Sequence, residues 1–188
     1  MTTSQKLNTL FAATLLALSG SALAAGTTSV TGGQVHFNGT VVDAACSVDE
    51  DSVDFNVDMG QVRTAKFAGA DGKVAAGTAA NQKRPFTIKL SDCDSSVSTN
   101  ASITFSGNAP AAMPTALDNT AGAGSAVGIG IQLYDNVGKA LGLGTASPAY
   151  TLINGENSLI FAADYISTGD TVKAGDVQAT ATFNVTYS

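Results

Sequence analysis

The sequence predicts an all-β protein. Three observations carry that expectation. Apolar and polar residues alternate with a period of two over many short stretches, and helical periodicity does not recur. Gly, Ala, Thr and Val are plentiful, while charged residues make up only 13% of the chain, about half the usual share. Turn-forming residues separate the alternating stretches. The 188 residues are 44% hydrophobic, enough for a packed core, and the length allows one domain.

The first element is an address. Lys6 precedes an apolar run from Leu10 to Leu18, and Ala22-Leu23-Ala24 has the small-residue pattern of a cleavage site. Residues 1–24 therefore read as a secretory signal peptide; the run is too short for a membrane span, which needs about 20 apolar residues. The mature chain, starting at Ala25, is expected to be exported and soluble before any assembly. It opens on a Gly/Thr/Ser-rich leader, residues 25–33, and passes at once into alternation. Gly33, Val35, Phe37, Gly39 and Val41 share one face; His36, Asn38 and Thr40 share the other.

Strands are then expected at Phe55, Val57 and Met59; at Phe86, Ile88 and Leu90; at Ile103 and Phe105; at Val127, Ile129, Ile131 and Leu133; and at Leu159, Phe161 and Tyr165. Turns are expected at Ala70-Asp71-Gly72, Asp135-Asn136 with Gly138, Asn154-Gly155 and Thr168-Gly169-Asp170. The stretches 64–82 and 108–125, rich in Ala, Gly, Thr and Asn, read as long connections with room for a short helical turn. The acidic run Asp49-Glu50-Asp51 reads as a solvated turn, because it lacks the spacing and the glycine of an EF-hand loop. The longest alternation comes last: Val177, Ala179, Ala181, Phe183, Val185 and Tyr187 on one face, threonines, Gln178 and Asn184 on the other. About seven short strands with a cysteine pair indicate an immunoglobulin-like β-sandwich. Trp is absent, so Phe, Ile, Leu and Val must fill its core.

Cys46 and Cys93 are the only cysteines. In an oxidising compartment such a pair favours one disulfide, which would contribute about 4 kcal/mol in the chain-entropy picture. Two free thiols or a redox pair are the alternatives, and the absence of a Cys-x-x-Cys spacing disfavours the second.

The composition also excludes functions. A net charge of −6 without any Lys/Arg cluster argues against nucleic acid and anionic membranes as partners. One histidine and two cysteines leave no multi-ligand zinc or haem site, so no metal and no cofactor is expected. No Gly-x-Ser-x-Gly nucleophile motif occurs, and Gly122, Gly124, Gly128 and Gly130 lack the spacing of a dinucleotide loop. No catalytic residue is assigned, and the chain is not expected to be an enzyme.

The two ends pose a problem. An apolar alternating strand at residues 33–41 would be a sticky edge if left free. Burying Val35, Phe37 and Val41 is worth roughly 5–9 kcal/mol gross, at about 1.5–3 kcal/mol per side chain. The strand could pair within its own sheet. A sandwich that finishes on a long apolar strand, however, leaves its last edge open. One chain then carries a spare strand and lacks another, and exchange between copies satisfies both by head-to-tail strand addition.

At this point the residues resemble a known family. Residues 33–42 (GQVHFNGTVV), 44–49 (AACSVD), 60–65 (GQVRTA), 86–94 (FTIKLSDCD) and 181–187 (ATFNVTY) are similar to pilin subunits of chaperone–usher fimbriae, most of all the type 1 major subunit. The penultimate Tyr187 and the upstream Gly175 match the family's chaperone-recognition strand. The resemblance implies an incomplete immunoglobulin fold that lacks its last strand (residues 43–188), preceded by an N-terminal donor-strand arm (residues 25–42). It implies that Gly33, Val35, Phe37, Gly39 and Val41 face a neighbour's groove, with Gly39 over a crowded part of it. It implies that Gly175, Val177, Phe183, Val185 and Tyr187 form the groove edge read by a periplasmic chaperone. The implied partners are neighbouring pilin subunits, that chaperone and an outer-membrane usher. The implied function is a structural pilin that polymerises by donor-strand exchange into an adhesive surface fimbria. The rival readings are a minor or adaptor pilin, a carbohydrate-binding adhesin of the same fold, and an exported hydrolase.

Overall fold

The structure, a computed structural model, describes residues 29, 30, 32–39, 41 and 44–188. The expected signal peptide lies outside the described residues. The chain divides after Thr40, and each part is taken by itself.

Residues 32–39 carry no strand, and Val35 and Phe37 are 75% and 92% exposed. The strand expected there is therefore not formed in the isolated chain: alternation prepares these residues for a sheet, but a strand exists only against a partner.

The regular structure of the body, residues 41–188, is almost wholly strand. They are β1 (Ser47–Val48), β2 (Arg84–Cys93), β3 (Asn100–Gly107), β4 (Leu117–Asp118), β5 (Ile129–Tyr134), β6 (Ala140–Leu141), β7 (Tyr150–Thr151), β8 (Gly155–Ser167) and β9 (Ala181–Tyr187). One sheet runs β1-β2-β8-β5-β4, with β6 also on β5; the other runs β7-β3-β9. All named pairings are antiparallel, as expected where one face of each sheet meets the core. Ile88 and Leu90 of β2, Leu159 and Phe161 of β8, Ile131 and Leu133 of β5, and Ile103 and Phe105 of β3 point into one core. Four phenylalanines replace the missing tryptophan. Phe105 stands edge-on to Phe161 with centroids 5.1 Å apart, and also meets Phe86 at 6.0 Å and Phe183 at 6.4 Å.

Several expected elements differ. Phe55, Val57 and Met59 alternate as a strand would, yet residues 54–63 form none. The solvated turn at Asp49-Glu50-Asp51 is instead a one-turn helix, α1 (Glu50–Val53), whose N-cap Asp49 accepts a hydrogen bond from the Asp51 amide at 3.1 Å. A 3-10 turn spans Thr64–Phe67. The last strand is seven residues rather than eleven, because β3, its partner, ends at Gly107 opposite Ala181.

The outer face of β5 also departs from simple alternation. Gln132 is buried there because its amide donates to the Leu133 and Leu141 carbonyls, each at 3.0 Å. Asp164, opposite it on β8, is fully buried and accepts the Gln82 amide through both oxygens at 3.2 and 3.1 Å. The crossover before β2 thus docks on this face through hydrogen bonds that the period-two pattern cannot signal.

Cys46 and Cys93 are joined in a disulfide, and both are buried. The bond sits where the β2–β8 register shifts between Leu90 and Cys93, next to an Asp94 amide that donates to the Ala45 carbonyl at 2.8 Å.

Candidate functional site: an open groove beside the last strand

β9 has β3 on one side and, among the described residues, no strand on the other. The free side can be read from the hydrogen bonds. Asn100 and Ser188 exchange both backbone bonds, at 2.9 and 3.0 Å. In an extended strand the N–H and C=O of alternate residues point the same way. Even-numbered residues from Thr182 to Ser188 thus face β3, while Ala181, Phe183, Val185 and Tyr187 aim both backbone groups at the open side. The parity persists upstream. Gln178 accepts from the Thr120 amide at 2.8 Å, and Asp176 donates to Gly124 and accepts from Ala126. Val177 and Ala179 have no such backbone partner among the described residues. From residue 177 to 187 lies an unpaired rim of about 33 Å at 3.3 Å per residue.

Beside the rim the two sheets do not close. Residues 53–63 form the opposite wall. Between the walls lie two cavities of about 650 and 620 Å³ that meet at Val177. Phe55, Val57 and Met59 line the first from one wall, and Val177, Ala179, Ala181 and Phe183 from the other; Phe86, Phe105, Ile131 and Leu133 lie beneath. Phe67, Ile129 and Tyr165 line the second. The groove is open, mainly apolar at the first cavity and mixed at the second, where Gln61, Arg63 and Lys173 also line it, with a bare backbone edge along it, a shape that takes an extended peptide whose alternate side chains point inward.

Side chains, not sheet pairing, hold the wall at residues 59–61. Tyr165 donates its hydroxyl to the Gly60 carbonyl at 2.8 Å, and Arg84 Nε donates to the Met59 carbonyl at 3.4 Å. Gly60 has a positive φ of 64°, and a Cβ there would meet the Arg84 guanidinium at 2.6 Å, so a side chain at this kink would be strained and would push Arg84 aside. Burial, with the Asp58 charge, pushes the Tyr165 hydroxyl above its ordinary value despite the opposing effect of Arg84, so it remains a donor. These contacts were not visible in the sequence, since each joins residues far apart in the chain.

The residues expected at the groove edge fall together. Val177, Phe183, Val185 and Tyr187 lie along the rim, half-buried, with the intervening residues exposed. Tyr187 donates its hydroxyl to the Cys46 carbonyl at 3.1 Å, and burial pushes that hydroxyl up as well. Gly175 lies at the far end, where a Cβ would strike the backbone of Gly124, Ser125 and Ala126. Gly175→Ala is expected to cost about 1–3 kcal/mol by forcing these backbones apart; an unchanged urea midpoint would refute the close approach. The arm residues Gly33, Val35, Phe37, Gly39 and Val41 are all exposed, and a Cβ on Gly39 would meet nothing within 4 Å.

No group of three or more His, Cys, Asp or Glu side chains that could hold a metal occurs among the described residues. The only salt bridge among them, Lys89 to Asp51 at 3.5 Å, is exposed.

A two-sheet sandwich with one unfilled strand position and a bare rim beside it defines a subunit whose fold is open to strand addition. The chain belongs to the fimbrial protein family: the model of the family described as "Fimbrial protein" matches residues 35–188. It is 45% identical to the fimbrial subunit type 1 of Klebsiella pneumoniae over 179 residues, covering 92% of each chain. Among solved structures it resembles a subunit of a chaperone–usher pilus, with a TM-score of 0.64, 28% identity, and coverage of 87% of this chain and 100% of the other. It also resembles the antigen and type I fimbria protein of Burkholderia pseudomallei, with a TM-score of 0.57, 36% identity, and coverage of 78% and 91%. The chain is a structural pilin subunit with an immunoglobulin-like fold.

Proposed function

We propose that this subunit polymerises by donor-strand exchange into a surface fimbria. Residues 33–41 of one copy add as a strand along residues 177–187 of the next. Val35, Phe37 and Val41 then leave water for the apolar groove, and Gly39 passes where a side chain would not fit. The observation that carries the reading is the bare rim beside an apolar groove, in a chain that also bears an unpaired alternating segment. Because donor and acceptor are different surfaces, the contact is head-to-tail and propagates rather than closing.

The same rim is the surface a periplasmic chaperone would cover during export, before an outer-membrane usher passes the subunit to its neighbour. Tyr187 and Gly175 lie near its two ends. The subunit is read as structural and not as an enzyme, and its place as the outside of the cell.

Deleting residues 25–41 tests the reading. The shortened subunit should still bind a chaperone strand but fail to extend fibres seen by electron microscopy. Fibres of normal length from that variant would end the assignment of the arm.

A further inference from the structure

β3 can hold β9 only as far as Ala181, yet the rim continues through Ala179 and Val177. Something must support the strand beyond the end of its partner. The chain turns away from β3 after Gly107, and the next residues beside the rim belong to the loop 119–127.

Asn119 lies at the join. Its amide nitrogen donates to the carbonyls of Ala126 and Asp176, both at 2.9 Å. Its amide oxygen accepts from the backbone N–H of Gln178 at 3.0 Å and of Ala121 at 3.2 Å. Both donors and both acceptor positions of the side chain are therefore used. All four partners are backbone groups, two on the loop and two on the strand that leads into β9. The side chain behaves as an extra peptide unit set between two backbones. Where β3 ends, Gly107 lets the Thr180 carbonyl come close: a Cβ on Gly107 would meet that oxygen at 2.8 Å.

We propose that Asn119 is a positioning residue for the strand-accepting groove: its carboxamide carries the rim past the end of β3 and so sets how many residues of an incoming strand are gripped. The inference rests on the donor-strand reading above. Residues 176 and 178 are fixed on the loop side by Asn119 and its neighbours, which turns the backbone groups of Val177 and Ala179 outward and holds them extended. Without the carboxamide, residues 176 and 178 would keep their bonds to Gly124, Ala126 and Thr120, but the Gln178 N–H would lose its partner, leaving this part of the rim less firmly held than Ala181 to Tyr187.

The test uses the full chain with an excess of a synthetic peptide of residues 33–42, read by residue-resolved amide hydrogen exchange. In the unmutated chain the peptide should protect Val177, Ala179, Phe183 and Val185. Asn119→Asp keeps the size but loses both donors and places a carboxylate against two carbonyls. It should raise exchange at Val177 and Ala179 in the complex about tenfold, the scale of one or two lost hydrogen bonds, and leave Phe183 and Val185 unchanged. Asn119→Ala, which adds no charge, should give the same local pattern, and serves if the aspartate variant loses β3–β9 protection without peptide. Equal protection of all four amides in both variants overturns the proposal. So does a uniform loss at all four, since that marks only general stability. If the peptide protects none of the four in the unmutated chain, the donor-strand reading itself falls, and this inference with it.

Discussion

Phe105→Ala is expected to cost about 3–5 kcal/mol of folding stability, the range for removing a buried phenylalanine. Phe105 is 3% exposed and sits on β3, in the smaller sheet. Its ring meets Phe161 and Phe86 of the larger sheet and Phe183 of β9. One side chain thus bridges the two sheets and forms part of the groove floor. Alanine would leave a void that backbone strands on both sides cannot collapse to fill. Urea unfolding at constant slope reads the loss directly; a midpoint within error of the parent would show that the four-ring cluster does not carry the core. The variant should also bind an arm peptide more weakly, because the floor beneath the rim is gone.

Replacing both cysteines, Cys46→Ser with Cys93→Ser, is expected to cost about 2–5 kcal/mol. The bond closes a loop with a sequence separation of 47 and ties the start of the body to the end of β2. Its effect extends to the other end of the chain, since Cys46 offers the carbonyl that accepts the Tyr187 hydroxyl. Loss of the link loosens the anchor of the rim as well as the first strand. Thermal unfolding of the parent with and without reductant, beside the double variant, measures it; equal midpoints in all three would remove the disulfide from the account of stability.

What could be read in advance follows from the range of the interactions involved. β2, β3, β5 and β8 show in the sequence because each buries one alternating row, and a local pattern reports a local fact. The rim residues Val177 to Tyr187 were legible for the same reason. Residues 55–59 carry the same alternation but no strand, because alternation reports burial on one side and not a hydrogen-bonding partner. Gln132 and Asp164 occupy outward positions by parity, yet are buried by segments that arrive from elsewhere. Asn119, Arg84 and Tyr165 could not be singled out, since an isolated polar residue looks the same whether it grips a distant carbonyl or faces water. The helix at Glu50–Val53 has a sequence signal of its own: an aspartate two positions before the amide it caps.

The outer border of β2 is poorly suited to accept a second strand. There Pro85 has no N–H to offer, and both backbone groups of Lys89 are already engaged, by the Ser52 hydroxyl and the Asp49 amide. That margin is blunted in the way proteins discourage stray pairing. In the proposed strand addition, this border offers no second port from which a thread could fork.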